Sequence, residues 1–200
     1  MNLPIYELTI NQDLNDNAEV SYISLVDAPA IKKEFLAFNE DLRMANKFEV
    51  ISEDQRIISG PLILADMLIY RNNEIFGEHY VKFSAETIKQ IAIKFAKRKN
   101  LDKVNLMHDE GQRVSGLTLF ESFIVDKSRG ILPMKGYEDV ADGSWFGSFY
   151  VENPEVWMGI KEGLYKGFSV EGLFDYMKPI SADQEALQKI EKLLNEITTD

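Results

Sequence analysis

Residues 80–107, Tyr80-Val81-Lys82-Phe83-Ser84-Ala85-Glu86-Thr87-Ile88-Lys89-Gln90-Ile91-Ala92-Ile93-Lys94-Phe95-Ala96-Lys97-Arg98-Lys99-Asn100-Leu101-Asp102-Lys103-Val104-Asn105-Leu106-Met107, change their hydrophobic period twice. Tyr80–Phe83 reads as a short strand, and Ser84 supplies a hydroxyl suited to capping a helix. Ile88, Ile91, Ala92, Phe95 and Ala96 then recur at helical spacing with lysines between them. This pattern predicts an amphipathic helix over residues 85–99, ended near Asn100, whose apolar stripe packs on the domain. Lys103–Met107 returns to a strand-like run.

Working outward, strands dominate. Val20–Val26 predicts a strand entering a turn at Ala28-Pro29-Ala30, and residues 35–46 read as an arm or linker. Phe48–Ile51 and Arg56–Leu64 form a candidate strand pair around the polar turn Ser52-Glu53-Asp54-Gln55. Gly60-Pro61 marks a bend or bulge, which suits a barrel corner. Further strands are expected at Thr118–Val125 and Trp145–Val151. The segment between them, residues 126–143, is long enough for a loop that shapes a substrate groove.

Asn153-Pro154-Glu155 opens a second helix, with Val156, Trp157, Ile160 and Leu164 on one expected buried face. Gly167–Phe174 is a strand candidate that places Phe168 and Val170 on one face and Ser169, Glu171 and Leu173 on the other. Ser181 and Gln184 resemble a capping box, followed by a helix marked by Leu187, Ile190, Leu193, Leu194 and Ile197. Five to seven strands and about three helices without regular alternation predict an α+β fold. The expected organisation is an N-terminal strand and arm over residues 1–46, a central body over 47–180 and a C-terminal helix over 181–200.

Bulk composition narrows the function classes. The 200 residues contain no cysteine, which excludes disulfides, thiol catalysis and thiolate metal sites. A formal charge of -11 disfavours nucleic-acid phosphates as a partner. No apolar run reaches membrane-spanning length, so a soluble, cytoplasmic chain without a membrane partner is expected.

Two histidines limit the chemistry further. His108 follows the apolar run Val104-Asn105-Leu106-Met107, and Ser169 lies in Gly167-Phe168-Ser169-Val170-Glu171-Gly172. A base that takes a proton and a hydroxyl that loses one are the minimum for hydrolysis through an acyl-enzyme. Structural or surface roles are the alternative for both, and His79 in Phe76-Gly77-Glu78-His79-Tyr80 reads as a capping, locally bonded or solvent-facing residue. Glu171 stands where a Gly-x-Ser-x-Gly nucleophile elbow requires glycine, so the α/β-hydrolase pattern fails. There is no His-Glu-x-x-His sequence and no glycine-rich phosphate loop, and no metal or cofactor is expected.

The chain resembles the prohead maturation proteases of tailed bacteriophages, specifically the XkdF-like phage serine protease group. The resemblance begins at Val20-Ser21-Tyr22-Ile23-Ser24-Leu25-Val26-Asp27-Ala28-Pro29-Ala30. It continues through Ile58-Ser59-Gly60-Pro61-Leu62-Ile63, Ile69-Tyr70-Arg71 and Asn105-Leu106-Met107-His108-Asp109. Leu119-Phe120-Glu121-Ser122-Phe123-Ile124-Val125-Asp126, Gly143-Ser144-Trp145-Phe146-Gly147 and Gly167-Phe168-Ser169-Val170-Glu171-Gly172 complete it. The order and spacing of these pieces carry the likeness.

That resemblance implies an antiparallel β-barrel surrounded by helices, similar to the herpesvirus assemblin proteases, with His108 and Ser169 as catalytic residues. It also implies scaffold and major capsid proteins as substrates, self-processing or self-association, and a place in the host cytoplasm inside immature procapsids. Glu121 is the first choice to orient His108, on the expectation that a strand from Thr118 runs antiparallel to Lys103–Met107. An ordinary outward-facing glutamate is the alternative, and Glu171 and Asp175 are reserves. Asp109 adjoins His108, but neighbours on a strand face opposite ways. Arg113 and the amides near Gly111 or Gly116 are candidate oxyanion donors. The competing functions are a non-catalytic capsid-assembly or scaffold protein that keeps the fold, and a generic ester hydrolase.

Overall fold

The computed structural model describes residues 3–27 and 47–177, so the expected turn at Ala28-Pro29-Ala30, the arm over 35–46 and the final helix over 181–200 lie outside the described residues. In chain order the elements are β1 (Ile5–Thr9), β2 (Glu19–Val26), β3 (Glu49–Ser52), β4 (Ile57–Ile63), β5 (Ile69–Asn73), β6 (Gly77–Lys82) and α1 (Ala85–Lys97). They continue with β7 (Val104–Leu106), β8 (Asp109–Val114), β9 (Leu117–Ile124), β10 (Trp145–Val151), α2 (Pro154–Lys161), β11 (Gly167–Leu173) and β12 (Asp175–Met177).

The strands form three four-stranded sheets, ordered β12-β1-β6-β5, β3-β4-β10-β9 and β11-β2-β7-β8. Two pairs, β1 with β6 and β2 with β7, are parallel, so the first and third sheets are mixed. The α+β class holds, but the expected antiparallel barrel does not form. A barrel needs every strand hydrogen-bonded on both sides around a ring. Here β9 was expected to pair with β7, yet β7 lies between β2 and β8, while among the described residues β9 is an edge strand bonded to β10. The polar sequence Asp109-Glu110-Gly111-Gln112-Arg113 hid β8, whose hairpin with β7 occupies the edge that closure required.

The second and third sheets meet at an isolated bridge between Lys47 and Gly167. Gly60 makes this approach possible: a Cβ there would lie 2.8 Å from the Lys47 carbonyl oxygen and from the Phe48 Cα. Next to it, Trp145 faces Ile63 and Phe146 faces Pro61, a register shift that accommodates the missing proline N–H. The bend expected at Gly60-Pro61 is therefore present, within an open sheet.

A shared core joins the three sheets to both helices. Ile23, Leu25, Leu62, Val81, Ile88, Phe95, Trp145, Phe149 and Phe168 are buried within it. Helix α1 begins as expected, with Ser84 Oγ accepting from Thr87 N at 3.3 Å. Its buried face includes Ile88, Ile91 and Phe95, with the Phe95 ring 5.5 Å from that of Trp145. Lys94, not Ala96, completes that face: it is 1% exposed, and its Nζ donates to the carbonyls of Asn11, Asp16 and Ala18 at 2.8, 3.0 and 3.0 Å. Helix α2 is capped by Asn153, whose Oδ1 accepts from Glu155 N and Val156 N. It ends at Lys161, so Leu164 falls beyond it and is exposed rather than buried.

The long segment 126–143 is anchored by a separate small core, in which Met134, Tyr137 and Val140 pack near Leu64, Val125 and Phe146. Lys127 Nζ fastens it by donating to the carbonyls of Glu138 and Val140. Among the described residues no helix is long and apolar enough to cross a membrane.

Candidate active site

His108 does not lie on a strand. Leu106 pairs with Asp109, leaving Met107 and His108 as the two central residues of the β7–β8 hairpin. Both are left-handed, with φ of 54° and 58°, as a two-residue turn of the primed type demands. Residues with side chains adopt this conformation at a cost of about 1 kcal/mol or more each. The turn projects His108 away from the strand alternation that would have separated it from Asp109. The Asp109 carboxylate is instead engaged within β8, accepting from Gly111 N at 2.8 Å and Gln112 Nε2 at 2.9 Å.

The adjacent strands β11, β2 and β7 align three polar residues. Ser169 is opposite Ser24, and Ser24 is opposite Asn105. Glu171 lies two residues after Ser169, and period-two alternation puts it on the same face. A bulge between Glu171 and Gly172 is tolerated because Gly172 has no side chain, since a Cβ there would lie 1.9 Å from the Glu19 carbonyl oxygen.

Four side chains meet beside this row. Ser24 Oγ is 3.0 Å from His108 Nδ1 and donates to Asn105 Oδ1 at 2.6 Å. Asn105 Nδ2 donates to Glu171 Oε2 at 2.5 Å. The same carboxylate oxygen is 3.6 Å from His108 Nδ1, beyond hydrogen-bond reach but close enough to act as a charge. Burial pushes the His108 pKa below its usual value, opposed by the negative Glu171 and reinforced by the positive Arg71. Neutral imidazole, the form able to accept a proton, is favoured near neutrality.

His108, Ser169 and Glu171 line one pocket of about 310 Å³. Leu8, Ile69 and Phe174 contribute apolar wall, and Arg71 and Tyr176 bring polar groups from β5 and β12. Ser169 is 7% exposed, whereas Ser24 is fully buried. The hydroxyl nearer to an incoming substrate is therefore that of Ser169.

The other residues singled out from the sequence lie elsewhere. Glu121 is opposite Ser148 in the β9–β10 pair, and its Oε2 accepts from Ser148 Oγ at 2.6 Å. The strand pairing expected to bring Glu121 to His108 is absent for the topological reason given above. Asp175 pairs with Thr9 at the start of β12. The Arg113 guanidinium sits 4.9 Å from the Tyr22 ring centroid. Arg113, Gly111 and Gly116 do not line the pocket, nor does any residue of the 126–143 loop; Arg71 is the arginine that does. His79 is fully buried among Tyr6, Phe76 and Tyr176, with Nδ1 2.8 Å from the Gly77 carbonyl oxygen.

The sequence carried a signal for Glu171, which shares the strand face of Ser169. Ser24, Asn105 and Arg71 lie in pieces that carry the resemblance, but nothing in the sequence assigned them a place at this site, because their proximity depends on pairings between distant segments. No curated protein and no solved structure gives a significant match to the chain. Residues 53–178 match the family described as "Putative phage serine protease XkdF". This match covers most of the chain and includes the histidine hairpin, the serine strand and Glu171, and the protein therefore belongs to the XkdF-type phage serine protease family.

Proposed function

We propose that His108 and Ser169 perform peptide hydrolysis during prohead maturation, a role with which membership of this phage protease family is consistent. The observation that carries the reading is the convergence of His108 and Ser169 on one pocket, with Glu171 beside the imidazole. In the first half-reaction His108 takes the Ser169 proton as Oγ attacks the peptide carbonyl, and then returns that proton to the departing amine. Water repeats the sequence to release the acyl group. Glu171 favours the imidazolium formed midway, and Arg71 adds positive potential to a pocket in which negative charge develops on the carbonyl oxygen.

The phage capsid-assembly context follows from the family. Scaffold and major capsid segments inside the immature procapsid are the proposed substrates, and self-cleavage is a further proposed event. The open sheets offer strand edges to which an extended peptide could add, with the apolar pocket receiving one of its side chains. The test is to mix intact wild-type protein or Ser169→Ala with the cognate scaffold and capsid proteins under assembly conditions. Wild type is expected to generate cleavage products and the variant to generate none. Equal products from both would overturn the assignment and favour an assembly protein that retains the fold.

A further inference from the structure

We propose that Ser24 is the positioning residue for His108, and that Glu171 dictates its orientation through a relay running from Glu171 to Asn105 to Ser24 to the imidazole. The proposal rests on the protease reading for its catalytic meaning. Ser24 lies outside the matched segment 53–178, on a strand parallel to the one that leads into the histidine hairpin.

The direction of every hydrogen bond follows from donor capacity. An ionised carboxylate can only accept, so the group 2.5 Å from Glu171 Oε2 must be the Asn105 amide nitrogen. That turns Asn105 Oδ1 toward Ser24, where it can only accept, at 2.6 Å. Ser24 has one hydroxyl proton, and this short contact takes it in preference to Glu171 Oε2 at 3.5 Å. What Ser24 presents to His108 Nδ1 at 3.0 Å is therefore a lone pair. Nδ1 must carry the proton, and Nε2 is left bare as the base.

The opposite assignments bring like groups together. With the proton on Nε2, either two acceptors would face each other between Asn105 and Ser24, or a flipped Asn105 would set its carbonyl oxygen against the carboxylate. Both lack a hydrogen where the separations are only 2.6 and 2.5 Å. Burial raises the penalty, since Ser24 and Asn105 are both 0% exposed and water cannot substitute. The carboxylate thus controls the tautomer from beyond hydrogen-bond distance, and the serine in direct contact transmits that control. The charged groups acting on this imidazole are Glu171 and, from β5, Arg71.

The test uses the intact chain with isotope-labelled histidine, in which nitrogen chemical shifts report the protonation of each ring nitrogen. Only His79 and His108 contribute, and a His108→Gln variant assigns them. Above the His108 pKa, wild type is expected to show a protonated Nδ1 and an unprotonated Nε2. Ser24→Ala is expected to mix the tautomers and lower kcat at least about 10-fold, within the range general-base catalysis supplies, with KM unchanged. Ser24→Thr, which keeps the hydroxyl, is expected to retain the wild-type tautomer. An Nε2-protonated His108 in wild type overturns the proposal without requiring any variant to fold. So does an unchanged tautomer in Ser24→Ala whose His79 signals show the native fold. Cleavage by Ser169→Ala instead overturns the protease reading and leaves the tautomer result standing.

Discussion

His108 is pulled in two directions by charges that act on it from different sheets. Arg71 lowers its proton affinity and Glu171 raises it. Replacing Arg71 by Met removes an influence that disfavours imidazolium, so the acidic limb of the kcat/KM profile should move to higher pH. Glu171→Gln removes an influence that favours imidazolium and should move the same limb to lower pH. The two displacements are opposite in sign, and pH-dependent cleavage of a peptide substrate by the two variants checks both. A common direction of movement would show that the limb does not report His108. At this scale the catalytic assignment of His108 and Ser169 came from the family resemblance, and as candidates they were legible because histidine is scarce and Ser169 sits in a glycine-flanked run. Ser24 was not, because a serine in an apolar strand has no pattern of its own until Asn105 and His108 are folded against it.

Helix α1 shows the same limit at the level of an element. Its cap and the buried positions Ile88, Ile91 and Phe95 follow from local spacing, while Lys94 reads as part of a solvated face. Its burial depends on three carbonyls of the segment between β1 and β2, whose orphaning would cost about 1–3 kcal/mol for each group left dry. Lys94→Met keeps an unbranched apolar stem but supplies no donor. It is expected to destabilise the fold by at least about 2 kcal/mol, measured by urea unfolding. Strand β11 makes a comparable demand at Gly172, where any Cβ collides with the β2 backbone. Gly172→Ala should disrupt the β11–β2 pairing, with amide exchange faster in both strands and lower kcat because Ser169 and Glu171 are carried on that bulged segment. Unchanged exchange in these strands would refute the close approach.

Across the whole molecule, Phe168 links the sheet that carries the site to the β3-β4-β10-β9 sheet. It is fully buried, and its ring centroid lies 5.1 Å from those of Phe48 and Phe149. Phe168→Ala should cost about 3–5 kcal/mol through lost burial and the cavity left behind. Thermal unfolding and cleavage assays would register lower stability together with lower activity, since Ser169 is the next residue along β11. Retention of wild-type stability would mean that the sheets do not depend on this contact.

Local chemistry in the sequence was enough for β2, β3, β4, β6, β7, β9, β10 and β11, for both helix caps and for the α+β class, while the proposal of His108 and Ser169 as a catalytic pair came from the family resemblance. The structural features are set by side-chain period and by caps within a turn of the residues they serve. The tertiary structure alone decided that the sheets stay open, that polar β8 takes the edge of β7, and that Glu171 rather than Glu121 stands beside the histidine. Strand pairing is a contest between distant segments for the same backbone donors and acceptors, and its outcome is not encoded in the periodicity of either competitor.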